Sequence, residues 1–272
     1  MDWFNLSLRA CASGWATLFG GAHPMVSLIP LSVLAGLGML WVFKKTSDQN
    51  RIGVTRKRMQ ARLLELRLYG DDPRQLWHAQ VALLVDNLRY MGLMLKPAIF
   101  LAPPLAILLV HLDFIYGLAP LELGHRAVLT VQTAGRISTR TKAPELSTPE
   151  GVLVETPVVR APADGRFSWG LAALEEGQST IEIDFDGHRT TKEIAAGPPG
   201  SYVSPRRVSS IWFSFLYPGE GLVTNEAVEW IDINYSMREI SAGGIELHWL
   251  IWFFVISMAA GYLFKGYFGV SL

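Results

Sequence analysis

Three nearly uncharged, strongly apolar runs constrain this chain more than any other feature: Met25 to Phe43, Pro97 to roughly Leu118, and Leu247 to Phe264. Each approaches the length of about 20 helical residues that crosses roughly 30 Å of hydrocarbon. Lys44-Lys45 stops the first run, Lys96 precedes the second, and Lys265 closes the third. The third opens on Trp249, Trp252, Phe253 and Phe254, the aromatic residues typical of membrane interfaces. Three core helices of a soluble protein are the alternative, and they would not need basic residues at their ends. The bulk composition agrees with membrane spans. Half the 272 residues are hydrophobic and 18 % are charged, and the mean hydropathy of +0.26 is high for a soluble enzyme.

Lys plus Arg and Asp plus Glu each total 24, so no basic excess points to nucleic acid, which is not an expected partner. The balance is locally uneven. Residues 44–96 carry 11 basic and 5 acidic side chains, a balance of +6, and residues 119–246 carry 11 basic and 17 acidic, a balance of −6. Basic loops stay in the cytoplasm, which predicts an outside N-terminus, a cytoplasmic 44–96 loop, an extracytoplasmic 119–246 segment and an inside tail. The predicted fold class is an α-helical membrane protein with three transmembrane helices, a cytoplasmic helical hairpin and an extracytoplasmic β-sandwich-like domain.

The expected order follows. Residues 1–23 form an N-terminal helix in the membrane interface, since Trp3, Phe4, Leu6, Leu8, Trp15, Leu18 and Phe19 are mixed with small and polar residues. They lack the basic start and continuous apolar stretch of a secretory signal. Gly20-Gly21 and His23-Pro24 break the helix before the first span, 24–44. The 45–96 loop reads as a hairpin. One helix runs from Val54 to Tyr69 with Met59, Leu63 and Leu66 on a stripe, and Gly70 closes it. Asp72 caps the second helix with Pro73 in its first turn, and Leu76, Leu83, Leu84, Leu88, Met91 and Leu95 recur at helical spacing. The second span is 97–118. Alternating runs at Ala127–Thr133, Val152–Val159, Arg166–Trp169, Thr180–Phe185 and His188–Ile194, with a hairpin signal at Asp186-Gly187, predict a small sandwich over 119–200. A return segment, 201–246, carries Trp212, Phe213, Phe215 and Tyr217 and a strand at Glu229–Tyr235, partly on the membrane surface. The third span is 247–265, and 266–272 is a cytoplasmic tail.

No catalytic constellation emerges, and neither enzymatic activity nor a cofactor is expected. The six histidines (23, 78, 111, 125, 188 and 248) show no ligand spacing, and no phosphate loop, dinucleotide fingerprint or nucleophile elbow is present. Asp184-x-Asp186-Gly187 lacks the remaining ligands of a calcium loop and reads as a turn. Cys11 is the single cysteine, which excludes an intrachain disulfide. More informative are polar and helix-breaking residues in the spans. Pro103-Pro104 frees backbone carbonyls that hydrocarbon cannot satisfy. Ser27, Ser32 and Ser257 permit close packing or a mildly polar lining, and His111 and Asp113 are spaced to meet headgroups or water. Met59, Met91 and Met94 on the hairpin are flexible, polarizable contacts able to accept varied apolar segments. An inert strut held together by the same residues is the competing reading.

The stretch Lys44-Lys45-Thr46-Ser47-Asp48-Gln49, the hairpin opening Arg56-Lys57-Arg58-Met59, the helix Gln80 through Met94 and the junction Leu95-Lys96-Pro97 together resemble the Oxa/YidC/Alb membrane-insertase superfamily. The similar branch includes the third subunit of the endoplasmic-reticulum membrane protein complex and its archaeal relatives. The resemblance spans residues 25–118, and 247–264 by position. It implies an insertase or chaperone with a hydrated groove open to cytoplasm and lipid. Ser27, Ser32, Met59, Met91, Met94, Lys96, Pro103, Pro104 and Ser257 are then candidates for groove and client contact. The implied partners are hydrophobic segments of nascent membrane proteins, the bilayer, and the ribosome or other subunits of a membrane complex. The family's cationic groove residue has no counterpart inside the first span. The expected location is a bacterial inner membrane, with the endoplasmic reticulum as the alternative. The rival function is a non-catalytic anchor or scaffold that binds a partner through the β domain. An intramembrane enzyme or transporter fits poorly with three spans and few ionisable residues within them.

Overall fold

The computed structural model describes the backbone of residues 2–19, 22–68, 72–138, 141–198 and 200–270, and the side chains of these except 2–6, 16 and 17. Among the described residues, the α-helices are α1 (Asp2–Leu18), α2 (Pro24–Thr46), α3 (Gln49–Leu68), α4 (Pro73–Leu112) and α5 (Trp249–Phe268), and eleven strands lie between α4 and α5. By length and composition, α2, α4 with its π-helical extension Asp113–Gly117, and α5 are able to cross a membrane. The chain divides into two compact units, residues 29–106 with 253–272, and residues 1–28 with 107–252.

The helical unit is built on clear start and stop signals. Thr46 and Ser47 hydroxyls donate back to the Val42 and Phe43 carbonyls at 2.8 and 2.6 Å as α2 ends. Asp48 then caps α3, its carboxylate accepting the Arg51 N–H at 3.0 Å. The Lys44–Gln49 motif is thus a helix-to-helix joint, and α3 starts at Gln49 rather than Val54. Asp72 caps α4 through the N–H groups of Arg74 and Gln75. The expected Gly70 terminator lies outside the described residues. On α4 the Asp86 carboxylate, itself held by Arg89 at 3.4 Å, is within electrostatic reach of Arg62 on α3.

Hairpin helix and second span form one helix. α4 runs unbroken for 40 residues through Pro97, Pro103 and Pro104, so the carbonyls of Leu93, Ile99 and Phe100 lose their helical N–H partners without ending the helix. Elsewhere in the unit α2 and α5 cross at very close range: a Cβ on Gly36 would stand 2.6 Å from the Ser257 carbonyl oxygen.

In the other unit, a six-stranded antiparallel sheet has the path β3 (Val152–Val154), β5 (Arg166–Ala173), β1 (Arg126–Thr133), β9 (Val228–Ile233), β8 (Arg206–Val208), with β4 (Val159–Ala161) also pairing β5. A three-stranded sheet orders β2 (Glu145–Ser147), β6 (Gly177–Phe185) and β7 (His188–Ala196). Alternate residues of both sheets enter one core: Leu129, Val131, Phe167, Leu171 and Ile231 from the first, Ile181, Ile183 and Ile194 from the second. Asp186 and Gly187 have φ of 53° and 79°, the paired positive values of a tight hairpin turn. The run expected as one strand over Val152–Val159 is two strands separated by Pro157, which has no N–H for a ladder. A further hairpin, β10 (Glu239–Ala242) and β11 (Ile245–His248), turns on Gly243-Gly244 and leads into α5.

The outer edge of β7 is capped rather than left open. Ala195 N–H donates to the Tyr235 hydroxyl at 3.0 Å and Glu193 N–H to Glu220 Oε2 at 2.9 Å, while Arg207 donates to the Thr191 carbonyl. Such satisfaction removes the template that an exposed edge offers to other chains. Helix α1 belongs to this unit. Its Arg9 forms an ion pair with Glu193, donates to the Gly219 carbonyl at 2.6 Å and lies 5.5 Å from the Tyr202 ring centre. It is therefore docked on the β unit, while its Trp3, Phe4 and Leu6 side chains fall outside the described residues.

Candidate functional site

The residues singled out from sequence fall into three environments. Ser27, at the start of α2, is buried; its hydroxyl donates to the Pro24 carbonyl at 3.0 Å and accepts the Tyr116 hydroxyl at 2.8 Å, and its carbonyl accepts the Trp15 indole N–H at 3.3 Å. Ser32 and Ser257 are buried in the helical unit. Ser32 is one turn before Gly36, and Ser257 donates to the Phe254 carbonyl at 3.1 Å. Ser27 and Ser257 thus each donate to a carbonyl three residues earlier. Met91, Lys96, Pro103 and Pro104 are exposed, and Met59 and Met94 are half-buried. The cavities described among the β strands are lined by other residues. One of about 460 Å³ is bordered by Ser13, Gln178, Pro198 and Tyr202, and another of about 210 Å³ by Arg206, Phe213, Tyr217 and Trp230.

His111 and Asp113 both have partners within the protein, and Asp113 is half-buried. His111 is buried with Nδ1 3.0 Å from the Ile107 carbonyl, and Asp113 accepts the Trp249 indole N–H at 2.9 Å. Lys192 was not singled out from sequence. It is fully buried, and its ammonium donates to the Ser204 carbonyl at 2.7 Å, to the Glu193 carbonyl at 3.1 Å and to the Glu220 carboxylate. Burial pushes its pKa down against the opposing pull of Glu220. With all three donors used, this lysine is a structural ammonium rather than a nucleophile. Among the described residues, no three His, Cys, Asp or Glu side chains are grouped to hold a metal.

What the structure does assemble is an apolar surface on α4. The single leucine-rich stripe read from sequence resolves into two. Leu76, Ala79, Leu83, Asp86, Tyr90, Leu93 and Pro97 are buried or half-buried. Trp77, Val81, Leu84, Leu88, Met91 and Leu95 form an outward row, each between 44 and 66 % exposed. Both rows advance by alternating steps of three and four, one face of a helix each. On α3, Arg56, Lys57 and Arg58 are exposed. At the candidate span ends Lys45 lies over the Trp41 ring at 4.7 Å and Lys265 over Tyr262 at 3.6 Å, the aromatic and cationic pairing suited to an interface.

Compared with models of known families, with curated proteins and with solved structures, the chain finds no match.

Proposed function

We propose that this is an Oxa-like membrane insertase or chaperone, and not an enzyme, that receives hydrophobic segments of other membrane proteins on the hairpin of α3 and α4 and delivers them toward the bilayer. The observation that carries the reading is the exposed apolar row on α4, set in a basic hairpin and continuous through Lys96 with a helix apolar enough to span a membrane. An uncovered row of this size is costly in water and marks a contact surface. The row does not require a nucleotide or a covalent step, because lateral transfer of an apolar segment into lipid is downhill.

In this reading the hairpin is cytoplasmic, α1 and the β unit are extracytoplasmic, and the membrane is a bacterial inner membrane, with the endoplasmic reticulum as the alternative. The Arg9–Glu193 pair supports one part of that topology. It joins the N-terminal helix to the β unit, and two candidate spans, an even number, separate them in sequence.

Site-specific crosslinking from Met91 or Met94 during synthesis of membrane proteins tests the function. Crosslinks to many different nascent segments are expected. Capture of one constant partner would instead favour a scaffold acting through the β unit. That second reading draws on a specific feature, the turn at Trp212, Phe213 and Leu216, whose three large apolar side chains are all exposed.

A further inference from the structure

We infer that α4 takes its occupant as a helix, not as an extended chain: an apolar helical segment of a client, laid along Trp77, Val81, Leu84, Leu88, Met91 and Leu95. This inference rests on the function proposed above and specifies the state in which the client is held.

Three observations carry it. The outward row repeats in steps of four, three, four, three and four residues, a period of 3.5. That period is complementary to a second helix whose side chains seat between those of the first. Next, the row lies within a continuous helix, whose backbone N–H and carbonyl groups there are used internally, the Leu93 carbonyl opposite Pro97 excepted. An extended client pressed against it would bury its own backbone polar groups without partners, whereas a helical client arrives with them satisfied. Finally, the positions flanking the row are His78, Gln80, Val85, Asn87, Gly92 and Met94. With His neutral none carries a charge, so a membrane segment with uncharged flanks fits the face directly.

Charge also discriminates against the simplest competitor, a second copy of this chain. Two hairpins, each with a balance of +6, would repel when laid side by side, while a neutral or acidic client is not opposed. From Trp77 to Leu95 the row covers 19 residues, about 27 Å along the axis, or roughly five helical turns of client.

The test uses the full-length protein in lipid vesicles with a photocrosslinking residue placed singly at Val81, Leu84, Leu88 or Met91, and for comparison at Arg89 and at Lys57 on α3. The probe is a leucine- and alanine-rich peptide of about 20 residues, alone and with two central alanines replaced by proline. Crosslinking at the four row positions but not at Arg89 or Lys57, weakened at least roughly tenfold by the prolines, is the expected result. Leu84→Asp with Leu88→Asp, both exposed sites, should abolish it with helix content unchanged. Equal crosslinking of the two peptides, or equal yield at Arg89, would overturn the helical inference while leaving client capture standing. Absence of crosslinks from every position to either peptide would overturn both the inference and the function on which it rests.

Discussion

The indole N–H of Trp249 donates to Asp113 Oδ1 at 2.9 Å, and Gly117 stands so close that a Cβ there would lie 2.1 Å from that oxygen and 2.8 Å from the indole nitrogen. The contact joins the π-helical turn after α4 to the first residue of α5, the adjoining ends of two candidate spans. An acidic residue at a span end is thus given a fixed partner, and the glycine leaves room for both.

Gly117→Ala should therefore act through the hydrogen bond as well as through sterics. The methyl group has to displace the carboxylate, and a loss of about 1 to 3 kcal/mol is expected, typical of overpacking. Trp249→Phe should cost about 1 to 3 kcal/mol by removing the donor, and Asp113→Asn, which keeps an acceptor oxygen, less. Because both changes break the same bond, the Gly117→Ala/Trp249→Phe pair should lose less than the sum of the single variants. Thermal unfolding of the detergent-solubilised protein reads all four; strict additivity would show that Gly117 is not coupled to the bond.

Much of the architecture was legible because local chemistry announces it. Asp72 and Pro73 mark a helix start, and Asp186-Gly187 a tight hairpin. Runs long enough to span a bilayer declare themselves by composition. The two faces of α4 were not separable in this way, since leucines occupy both rows and only packing decides which is covered. The β10–β11 hairpin was hidden because its strands are four residues each, too short for alternation to show beside an apolar run. The Arg9–Glu193 clasp joins residues 184 positions apart, a relation that no local pattern encodes. The serines were legible as small polar residues in apolar helices, but whether they line a groove or pack a crossing depends on the neighbouring helix.

That crossing is testable at two glycines of the same helix. At Gly36 a Cβ would meet the Ser257 backbone at 2.6 Å, whereas at Gly38 nothing lies within 4 Å. Backbone cannot rotate aside as a side chain can, so Gly36→Ala should force α2 and α5 apart and cost about 1 to 3 kcal/mol. Gly38→Ala should be neutral or stabilise by up to about 1 kcal/mol through helix propensity. Equal melting temperatures for the two variants would exclude a close α2–α5 contact at Gly36.

The buried ion pair of the β unit predicts an asymmetric result. Lys192→Met leaves the Glu220 carboxylate buried without its cation and should cost about 3 to 5 kcal/mol. Glu220→Gln removes the charge but keeps an acceptor for the Glu193 N–H. The double variant Lys192→Met/Glu220→Gln should accordingly recover part of the loss. Chemical denaturation followed by tryptophan fluorescence measures it, and a double variant less stable than Lys192→Met would show that the charge on Glu220 is not the source of the penalty.

The proposed orientation can be read from the one native thiol. Cys11 is exposed on α1, and α1 is tied to the β unit through Arg9, whereas Arg58 is exposed on α3 among the basic residues of the hairpin. If basic residues hold the hairpin in the cytoplasm, a membrane-impermeant maleimide added to intact cells or spheroplasts should label Cys11 directly. In a Cys11→Ser background, Arg58→Cys should react only after the membrane is permeabilised. Labelling of Arg58→Cys from outside, with Cys11 protected, would invert the topology and place the apolar row of α4 on the side where no newly made segment emerges, removing the basis for client capture.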